Sequence, residues 1–231
     1  MFEWKWQSTG TSGSTAYEYQ ALTIAHIERM TAGQIKIEQF ATGAIVAPPE
    51  ALEAMSKGVL TGYSGTSTYW SGTVPISNLE SIIPGTLKRP EDMYTFLYDP
   101  DYRFIDIINE AYVPFNVVHV GETYALGDVF NSNVPIRKVE DFQGMKIRSS
   151  GGSALLLTEL GCSPTYFAAQ ELYQAMATGI IDGFEYAGLE LNMSIGFYEV
   201  TDYLHQPAFQ PVYSSPYLLN LEAWNEIPDN F

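Results

Sequence analysis

The feature that most constrains this chain is an internal repeat of a helix, a glycine stop and a strand. Six positions recur at a constant offset of 121 residues: Glu50, Ala54, Met55, Gly58, Gly62 and Tyr63 in one copy, and Glu171, Ala175, Met176, Gly179, Gly183 and Phe184 in the other. Glycine after a helix is common, so such a pattern also arises by chance. Two real copies predict two similar lobes, and paired lobes make a cleft.

The second copy is preceded by a short predicted strand that ends in arginine. Residues 145–149 alternate as a strand, Arg148 lies near its end, and two glycines follow before an apolar helix pattern. Arginine suits carboxylates, because its planar guanidinium donates two parallel hydrogen bonds and stays charged. The first copy has a weaker echo of this strand over residues 4–10, with Gln7 in the place of Arg148.

The strand predicted over residues 180–186 ends in Glu185 and Tyr186, just before a glycine. Ligands of open α/β sheets gather beyond the carboxyl ends of the strands, so Arg148 and Glu185 are predicted to face one crevice. A carboxylate there can bind a metal ion together with backbone carbonyls, since hard cations take oxygen ligands. A solvated glutamate at a strand end is the equally weighted alternative.

Composition narrows the class of partner. The net charge of −16 argues against nucleic acid and anionic membrane surfaces, since both need a basic patch. Cys162 is the only cysteine, so no internal disulfide forms, and its apolar neighbours favour a buried, inert thiol. Tyr69 and Trp70 follow another predicted strand and are either cleft-wall residues or an aromatic pair packed under a loop. No apolar run approaches the ~20 residues of a membrane helix.

Enzyme signatures are absent from the sequence. It lacks a Walker loop and the motifs G-x-G-x-x-G, H-E-x-x-H, C-x-x-C and G-x-S-x-G. Asp182 and Glu185 form a candidate acid pair, but residues three apart on a strand point to opposite faces and should not converge. His119 lies within a predicted strand, which favours a structural histidine whose hydrogen bonds are satisfied. Catalysis is therefore disfavoured.

Three segments, taken in order, resemble the solute-binding proteins of TRAP transporters, the DctP-type family. They are GMKIR at 144–148, ELYQAM followed by GIIDGFEY within 171–186, and YLHQP at 203–207. The similarity starts with the opening WKWQS strand and covers nearly the whole chain. It implies an α/β, two-lobed fold of the type II periplasmic-binding-protein kind, each lobe a mixed sheet flanked by helices, with the cleft between the lobes. It also implies a periplasmic receptor, not an enzyme.

Within this family the chain is most similar to the branch of 2-oxo acid and lactate binders, in which a T-E-W-like element helps to hold a cation beside the ligand. Here that element is Phe184, Glu185 and Tyr186, so tyrosine replaces the usual tryptophan. The family's carboxylate-binding arginine corresponds to Arg148. The resemblance implies a sodium or calcium ion bridging the ligand, held by Glu185, Tyr186 and Gln210.

We therefore predict lobe I over residues 1–120 and 211–231, and lobe II over residues 121–210. Arg148 is expected to pair with the carboxylate of a small organic acid, and the other predicted site residues are Glu185, Tyr186, Tyr69, Trp70, Glu122, Tyr124 and Gln210. The receptor, a monomer or homodimer whose signal peptide is already removed, would deliver this acid to the membrane subunits of a TRAP permease driven by an ion gradient. Family members continue past residue 231 with helices that brace both lobes. A sensor module of a signalling system and, less favoured, an α/β enzyme with paired acids are the alternatives.

Overall fold

The computed structural model describes residues 1–81 and 84–228. Its strands are β1 (Phe2–Ser8), β2 (Ile35–Phe40), β3 (Gly62–Ser64), β4 (Val117–Leu126), β5 (Phe130–Ser132), β6 (Lys146–Arg148), β7 (Ser163–Thr165), β8 (Gly183–Glu185), β9 (Tyr203–His205) and β10 (Val212–Asn220). Its α-helices are α1 (Thr15–Met30), α2 (Ala51–Ser56), α3 (Ser77–Glu80), α4 (Pro90–Tyr98), α5 (Phe104–Tyr112), α6 (Gly151–Glu159), α7 (Ala169–Ala177), α8 (Leu189–Ser194) and α9 (Leu221–Asn225). Short 3₁₀ helices occur at Pro48–Glu50, Ser67–Trp70, Val113–Phe115, Val139–Phe142 and Phe197–Glu199.

The chain divides into two compact units. The first unit consists of Met1–Glu80, Leu97–Thr123 and Ser215–Phe231, and the second unit consists of Ser81–Phe96 and Tyr124–Ser214. Residues 82, 83 and 229–231, which fall within the predicted lobes, lie outside the described residues. In the described part of the chain, no helix has the length and apolar character needed to cross a bilayer.

The first unit is built on a five-stranded sheet in the order β2-β1-β3-β10-β4, of which β4 and β10 each run past a unit boundary. β1 is parallel to β2 and β3, whereas β10 is antiparallel to β3. Alternate side chains of β1 and β2 enter the core, where Trp4, Trp6, Ile35 and Ile37 pack with Ile24 of α1. The period of two along each strand gives the sheet one buried face at this point.

The second unit holds its own five-stranded sheet, in the order β7-β6-β8-β5-β9. β6 is parallel to β7 and β8, while β5 is antiparallel to β8 and β9. One buried cluster, around Phe130, Ile147 and Leu157, includes the single cysteine, and another lies around Leu172 and Phe184. Each unit therefore has a mixed sheet flanked by helices, which confirms the predicted α/β class.

The two repeat copies occupy equivalent places in the two sheets. Gly58 after α2 and Gly179 after α7 both have left-handed backbone angles, with φ of 70° and 67°, a conformation that favours glycine. β3 then pairs in parallel with β1, and β8 pairs in parallel with β6. Gln7 lies opposite Tyr63 in the first sheet, as Arg148 lies opposite Phe184 in the second. The sequence echo that put Gln7 in the place of Arg148 is thus confirmed.

The strand predicted over residues 180–186 is shorter in the structure. The backbone N–H groups of Ile180 and Ile181 bond to the carbonyl of Ala175, so these residues complete the end of α7. Only Gly183–Glu185 joins the sheet. β5 and β7, each three residues long, had no counterpart among the predicted strands.

Candidate functional site

Arg148 is the last residue of β6, a central strand of the second sheet, and it is only 4% exposed. Its Nε donates to the carbonyl of Phe167 at 3.2 Å, and its Nη1 donates to the carbonyl of Glu185 at 3.0 Å. The guanidinium carbon lies 5.5 Å from the ring centre of Tyr166 and 5.1 Å from that of Tyr186. Aromatic rings at this distance attract a guanidinium and fix its plane.

The other amino group of the guanidinium, Nη2, has no hydrogen-bond partner among the residues that the structure describes. Arginine carries five N–H donors, and a carboxylate normally binds two of them side by side. The side chain is therefore held in place by two carbonyls and two rings while part of its donor capacity remains unused. Such an arrangement is preorganised for an anion.

An acid pair lies beside Arg148. The carboxyl groups of Asp128, in the segment before β5, and Glu185, at the end of β8, lie close enough to share a hydrogen bond. Two carboxyl groups can form such a bond only when one of them carries a proton. The hydroxyl of Ser149 donates to Glu185 Oε1 at 2.8 Å, and the backbone N–H of Ala187 lies within reach of the Asp128 carboxyl group. Ala187 has a left-handed φ of 46°, a backbone conformation that is less favourable for a residue other than glycine.

Burial and mutual repulsion set the protonation of this pair. Burial raises the pKa of Glu185 well above its usual range, and the charge of Asp128 raises it further. Burial also raises the pKa of Asp128, although its bond to Glu185 and the positive charge of Arg148 oppose that rise. Arg148 Nη1 and Glu185 Oε1 are 4.0 Å apart, which is too long for a hydrogen bond. The positive charge of Arg148 therefore offsets only part of the cost of burying the two carboxyl groups.

Gln210 lies next to the acid pair because its backbone is hydrogen-bonded to that of Asp128. Its N–H donates to the carbonyl of Asp128 at 3.2 Å. The side chain, 4% exposed, donates through Nε2 to the carbonyl of Ser81 at 2.8 Å, and its Oε1 accepts from the hydroxyl of Ser153 at 3.4 Å. The second unit thus brings together four predicted site residues: Arg148, Glu185, Tyr186 and Gln210.

Two other predicted site residues belong to a buried hydrogen-bond chain in the first unit, the His119 network. The Trp70 indole donates to the Tyr112 hydroxyl at 3.1 Å, which donates to Glu80 Oε2 at 2.7 Å. His119 bonds Glu80 Oε1 through Nδ1 at 2.6 Å and Glu122 Oε2 through Nε2 at 2.8 Å. Trp70 and Glu122 therefore belong to one hydrogen-bonded chain.

The side chains of His119 and Glu80 are fully enclosed, and that of Glu122 is 1% exposed. Burial on its own lowers the pKa of His119, but the bonds to Glu122 and Glu80 outweigh it and raise the pKa to about 9. A charged histidine between two carboxylates satisfies both ring nitrogens. The expectation that His119 is a structural histidine is confirmed.

The last two predicted site residues are Tyr69 and Tyr124. Tyr69 lies in the 3₁₀ helix Ser67–Trp70 of the first unit, Tyr124 lies on β4, and both are half-buried. Trp70 packs edge-on against Tyr63 with ring centres 5.6 Å apart. The sequence left open whether Tyr69 and Trp70 are cleft-wall residues or an aromatic pair packed under a loop. Trp70 is packed in the core of the first unit.

Sequence reasoning missed the acid partner of Glu185. It considered Asp182, whose carboxylate instead accepts from the backbone N–H of Lys146 at 2.8 Å, and the expected divergence of Asp182 from Glu185 stands. The actual partner, Asp128, precedes a strand of three residues and leaves no periodic signal. Glu80, which joins His119 from a position 39 residues away, was missed for the same lack of a local pattern.

The donor set near Arg148 can be compared with what a hard cation requires. Sodium and calcium take oxygen ligands from carboxylates, carbonyls and amides, and Asp128, Glu185 and Gln210 supply oxygens of these kinds. Within residues 1–81 and 84–228 no three His, Cys, Asp or Glu side chains cluster as a metal site. The acid pair fits such a cation only together with backbone, amide or ligand oxygens.

Comparison with known proteins gives a consistent result. The DctP family model, described as bacterial extracellular solute-binding protein, family 7, matches residues 7–231. The monocarboxylate 2-oxoacid-binding periplasmic protein of Nostoc sp. is 28% identical over 216 residues, covering 91% of this chain and 58% of that protein. The chain thus spans little more than half the length of that relative.

Solved structures show the same likeness in three dimensions. A TRAP periplasmic solute-binding protein from Pseudoalteromonas atlantica with bound sodium and pyruvate matches with a TM-score of 0.89 and 21% identity, covering 99% of this chain and 69% of that one. A protein of the same description from Colwellia psychrerythraea, with bound calcium and pyruvate, matches with a TM-score of 0.88 and 20% identity over 99% and 70% of the two chains. The fold is shared with these proteins.

Proposed function

The chain belongs to the DctP family of bacterial extracellular solute-binding proteins, and we propose that it captures a small organic acid outside the cytoplasm for delivery to a TRAP permease. The observation that carries this proposal is the guanidinium of Arg148, which is buried, held by two carbonyls and two aromatic rings, and left with an amino group unused. This geometry suits a carboxylate, because little ordering of the side chain remains to be done on binding.

Burial makes the pairing strong. A charged hydrogen bond in a dry site is worth more than one in water, and a buried arginine with some donors unpartnered in the described chain gains from an anion that accepts from them. The second unit supports binding of an acid in particular, because a planar carboxylate can accept from two of the three N–H donors of Arg148 that have no partner among the described residues. Pyruvate is the natural first probe, since relatives of this fold hold it.

A cation is the second part of the proposal. Asp128 and Glu185, with the carbonyl of Tyr186 and the amide oxygen of Gln210, would hold sodium or calcium near the ligand. Such an ion would neutralise the acid pair, which otherwise repels an incoming carboxylate. Solved relatives carry sodium or calcium together with pyruvate, which supports the proposal for this chain.

Delivery to a permease and residence in the periplasm are proposed from family membership. A receptor passes its ligand on unchanged, so the proposal includes the absence of turnover. The family relationship favours a transport receptor over the sensor module and the paired-acid enzyme, the two alternatives that the sequence left open.

The test is to measure pyruvate binding by calorimetry, with calcium or sodium present, in the wild-type protein and in Arg148→Ala. We expect the variant to lose two to three decades in affinity, because removing one partner of a buried charged pair costs about 3–5 kcal/mol. Circular dichroism should show an unchanged fold. Arg137→Ala is the matched control, since Arg137 is an exposed arginine of the same unit, and it should bind as the wild type does. Equal affinity in Arg148→Ala would remove Arg148 from the site.

A further inference from the structure

The side chain of Tyr186 is a part of the surroundings of Arg148 that the proposed function leaves unused. Its backbone N–H donates to the carbonyl of Val129 at 3.4 Å, which fixes the chain directly after β8. Its ring packs edge-on against Phe197 with ring centres 5.9 Å apart, and the ring centre lies 5.1 Å from the guanidinium carbon of Arg148. The ring is therefore held between the core of the second unit and the group proposed to bind the acid.

The hydroxyl of Tyr186 is available for a hydrogen bond. It has no hydrogen-bond partner among the described residues, and it is not one of the enclosed side-chain atoms that lack a partner. The residue as a whole is half-buried. A tyrosine hydroxyl both donates and accepts, so a small molecule that reaches this oxygen can bond it.

The charged groups of the candidate site act on this hydroxyl. Burial raises the pKa of Tyr186, the positive charge of Arg148 opposes that rise, and the carboxyl group of Asp128 adds to it. The hydroxyl therefore lies close to both groups and keeps its proton at neutral pH. A protonated hydroxyl in this place offers a donor to an oxygen of a ligand.

The position of the ring determines which part of a ligand it meets. A carboxylate bonded to Arg148 would lie about 2.7–2.9 Å from the guanidinium nitrogens. The carbon next to that carboxylate then lies in the immediate surroundings of the guanidinium, of which the Tyr186 ring is a part. A polar atom on this carbon is the part of an acid that a nearby hydroxyl would recognise.

We propose that Tyr186 is a specificity-determining residue of the Arg148 site, and that its hydroxyl donates a hydrogen bond to a second oxygen of the ligand, on the carbon next to the carboxylate. Arg148 binds the carboxylate that all organic acids share, and Tyr186 selects the acids that carry this oxygen over plain alkanoates. The inference rests on the function proposed above, because it needs the acid to be bound at Arg148. It gives the side chain of Tyr186 a role separate from that of its carbonyl.

The test compares pyruvate with propionate, which has a methylene group in place of the oxo group, in the wild type and in Tyr186→Phe. The substitution removes one oxygen atom and keeps the ring that packs against Phe197 and Arg148. Calorimetry should show pyruvate affinity about three- to tenfold lower in the variant, the effect of one hydrogen bond, and propionate affinity changed by less than about twofold. Tyr198→Phe, an exposed tyrosine of the same unit, should leave both affinities unchanged.

Titrations with calcium and with a chelator separate the hydroxyl from a cation, since a bound ion is another group that can hold the oxo oxygen. If the cation alone held it, pyruvate would keep its full advantage over propionate in Tyr186→Phe, and the inference would be overturned. A crystal structure with pyruvate is the second measurement and does not depend on the folding of the variant. The oxo oxygen should lie about 2.5–3.0 Å from Tyr186 Oη, and a hydroxyl bonded to water or protein instead would contradict the inference.

Failure of this inference is distinct from failure of the proposed function. If the wild type binds neither acid, or if Arg148→Ala binds both normally, the Arg148 site itself is wrong and the role of Tyr186 is overturned with it. If Arg148→Ala loses both acids while Tyr186→Phe keeps the affinity for both, only the role of Tyr186 is wrong.

Discussion

Gln7 and Arg148 occupy equivalent positions in the two units, yet their side chains are used in opposite ways. The amide of Gln7 is fully buried: its oxygen accepts from the N–H groups of Ile45 and Val46 at 2.8 and 3.2 Å, and its nitrogen donates to the carbonyl of Val46 at 2.8 Å. Arg148 is nearly as buried but keeps an amino group without a partner in the described chain. The Gln7 amide is hydrogen-bonded within its own unit, whereas the Arg148 guanidinium keeps donors that the described residues do not use.

The acidic groups repeat this contrast. In the first unit His119 lies between Glu80 and Glu122 and bonds both. In the second unit Glu185 and Asp128 meet with an arginine at 4.0 Å and no histidine between them. A buried polar group whose hydrogen bonds are all made within the protein stabilises the fold. A buried polar group that lacks a hydrogen bond gains one when a suitable ligand binds, and this favours binding. We infer that the buried polar groups of the His119 network serve the structure of the first unit, whereas those around Arg148 serve recognition.

The largest expected effect is on His119. His119→Ala leaves Glu80 and Glu122 facing each other without a cation, so we expect the first unit to lose about 3–5 kcal/mol of unfolding free energy. All four tryptophans lie in the first unit, so tryptophan fluorescence during urea unfolding reports on this unit. His26→Ala, an exposed histidine on α1, is the control and should change stability by less than about 0.5 kcal/mol. A similarly small loss of stability in His119→Ala would show that the His119 network is not a structural centre, and the contrast with the groups around Arg148 would be wrong.

The next effect is a dependence of stability on pH. The pKa of His119 is raised from 6.5 to about 9 in the folded state, so the stabilisation is fully present below pH 6.5 and is lost as pH rises through 9. The titratable groups that contact it within its network are Glu80 on α3 and Glu122 on β4, and Glu80 also accepts from Tyr112 on α5. We expect the wild type to lose about 3 kcal/mol over that window.

Urea titrations followed by tryptophan fluorescence at pH values from 6 to 10 measure this loss. His119→Gln cannot carry the charge, so its stability should be lower at pH 6 and should change far less over the same range. A wild-type slope that survives in His119→Gln would assign the titration to another group.

A third experiment sharpens the contrast at Arg148. Arg148→Lys keeps the charge but loses the planar fork, so it cannot bond the carbonyls of Phe167 and Glu185 while presenting paired donors to a ligand. We expect pyruvate affinity to fall about tenfold to a hundredfold, equivalent to roughly 1.4–2.8 kcal/mol, while circular dichroism shows that the unliganded protein is still folded. Calorimetry with Lys138→Arg as an exposed control measures the change. Full affinity in Arg148→Lys would mean that charge alone, and not the fork, binds the acid.

Local patterns were sufficient to indicate two residues of the candidate site. Arg148 follows a strand and precedes a glycine turn, and Glu185 ends the strand of a repeat, so both were visible in a window of a few residues. The strands and helices of the two repeat copies follow from the same periodicity and from the glycine stops at Gly58 and Gly179, whereas the mixed character of the sheets was implied only by the family resemblance. The α/β class was predictable for this reason.

Contacts between distant residues were not predictable from these windows. Asp128 meets Glu185 only because β5 pairs antiparallel with β8, placing Phe130 opposite Glu185, and a strand of three residues has too little alternation to be recognised. The bonds of His119 likewise depend on how α3 packs against β4. The sequence therefore indicated Arg148, Glu185 and Glu122 but not Asp128 and Glu80, which come from distant segments of the chain.

The smallest effect, and the sharpest test of the comparison, is at Glu185. Glu185→Gln keeps an oxygen for the Ser149 hydroxyl and offers an N–H to Asp128, while it removes a carboxyl group that could ionise when a cation binds. Without added ions we expect unfolding free energy to stay within about 1 kcal/mol of wild type or to rise, and the thermal stabilisation by calcium and pyruvate to shrink. Glu159→Gln, an exposed glutamate of the same unit, should leave both unchanged. A loss of several kcal/mol in Glu185→Gln would instead make this pair a structural centre like that around His119, and the division of labour between the two units would no longer hold.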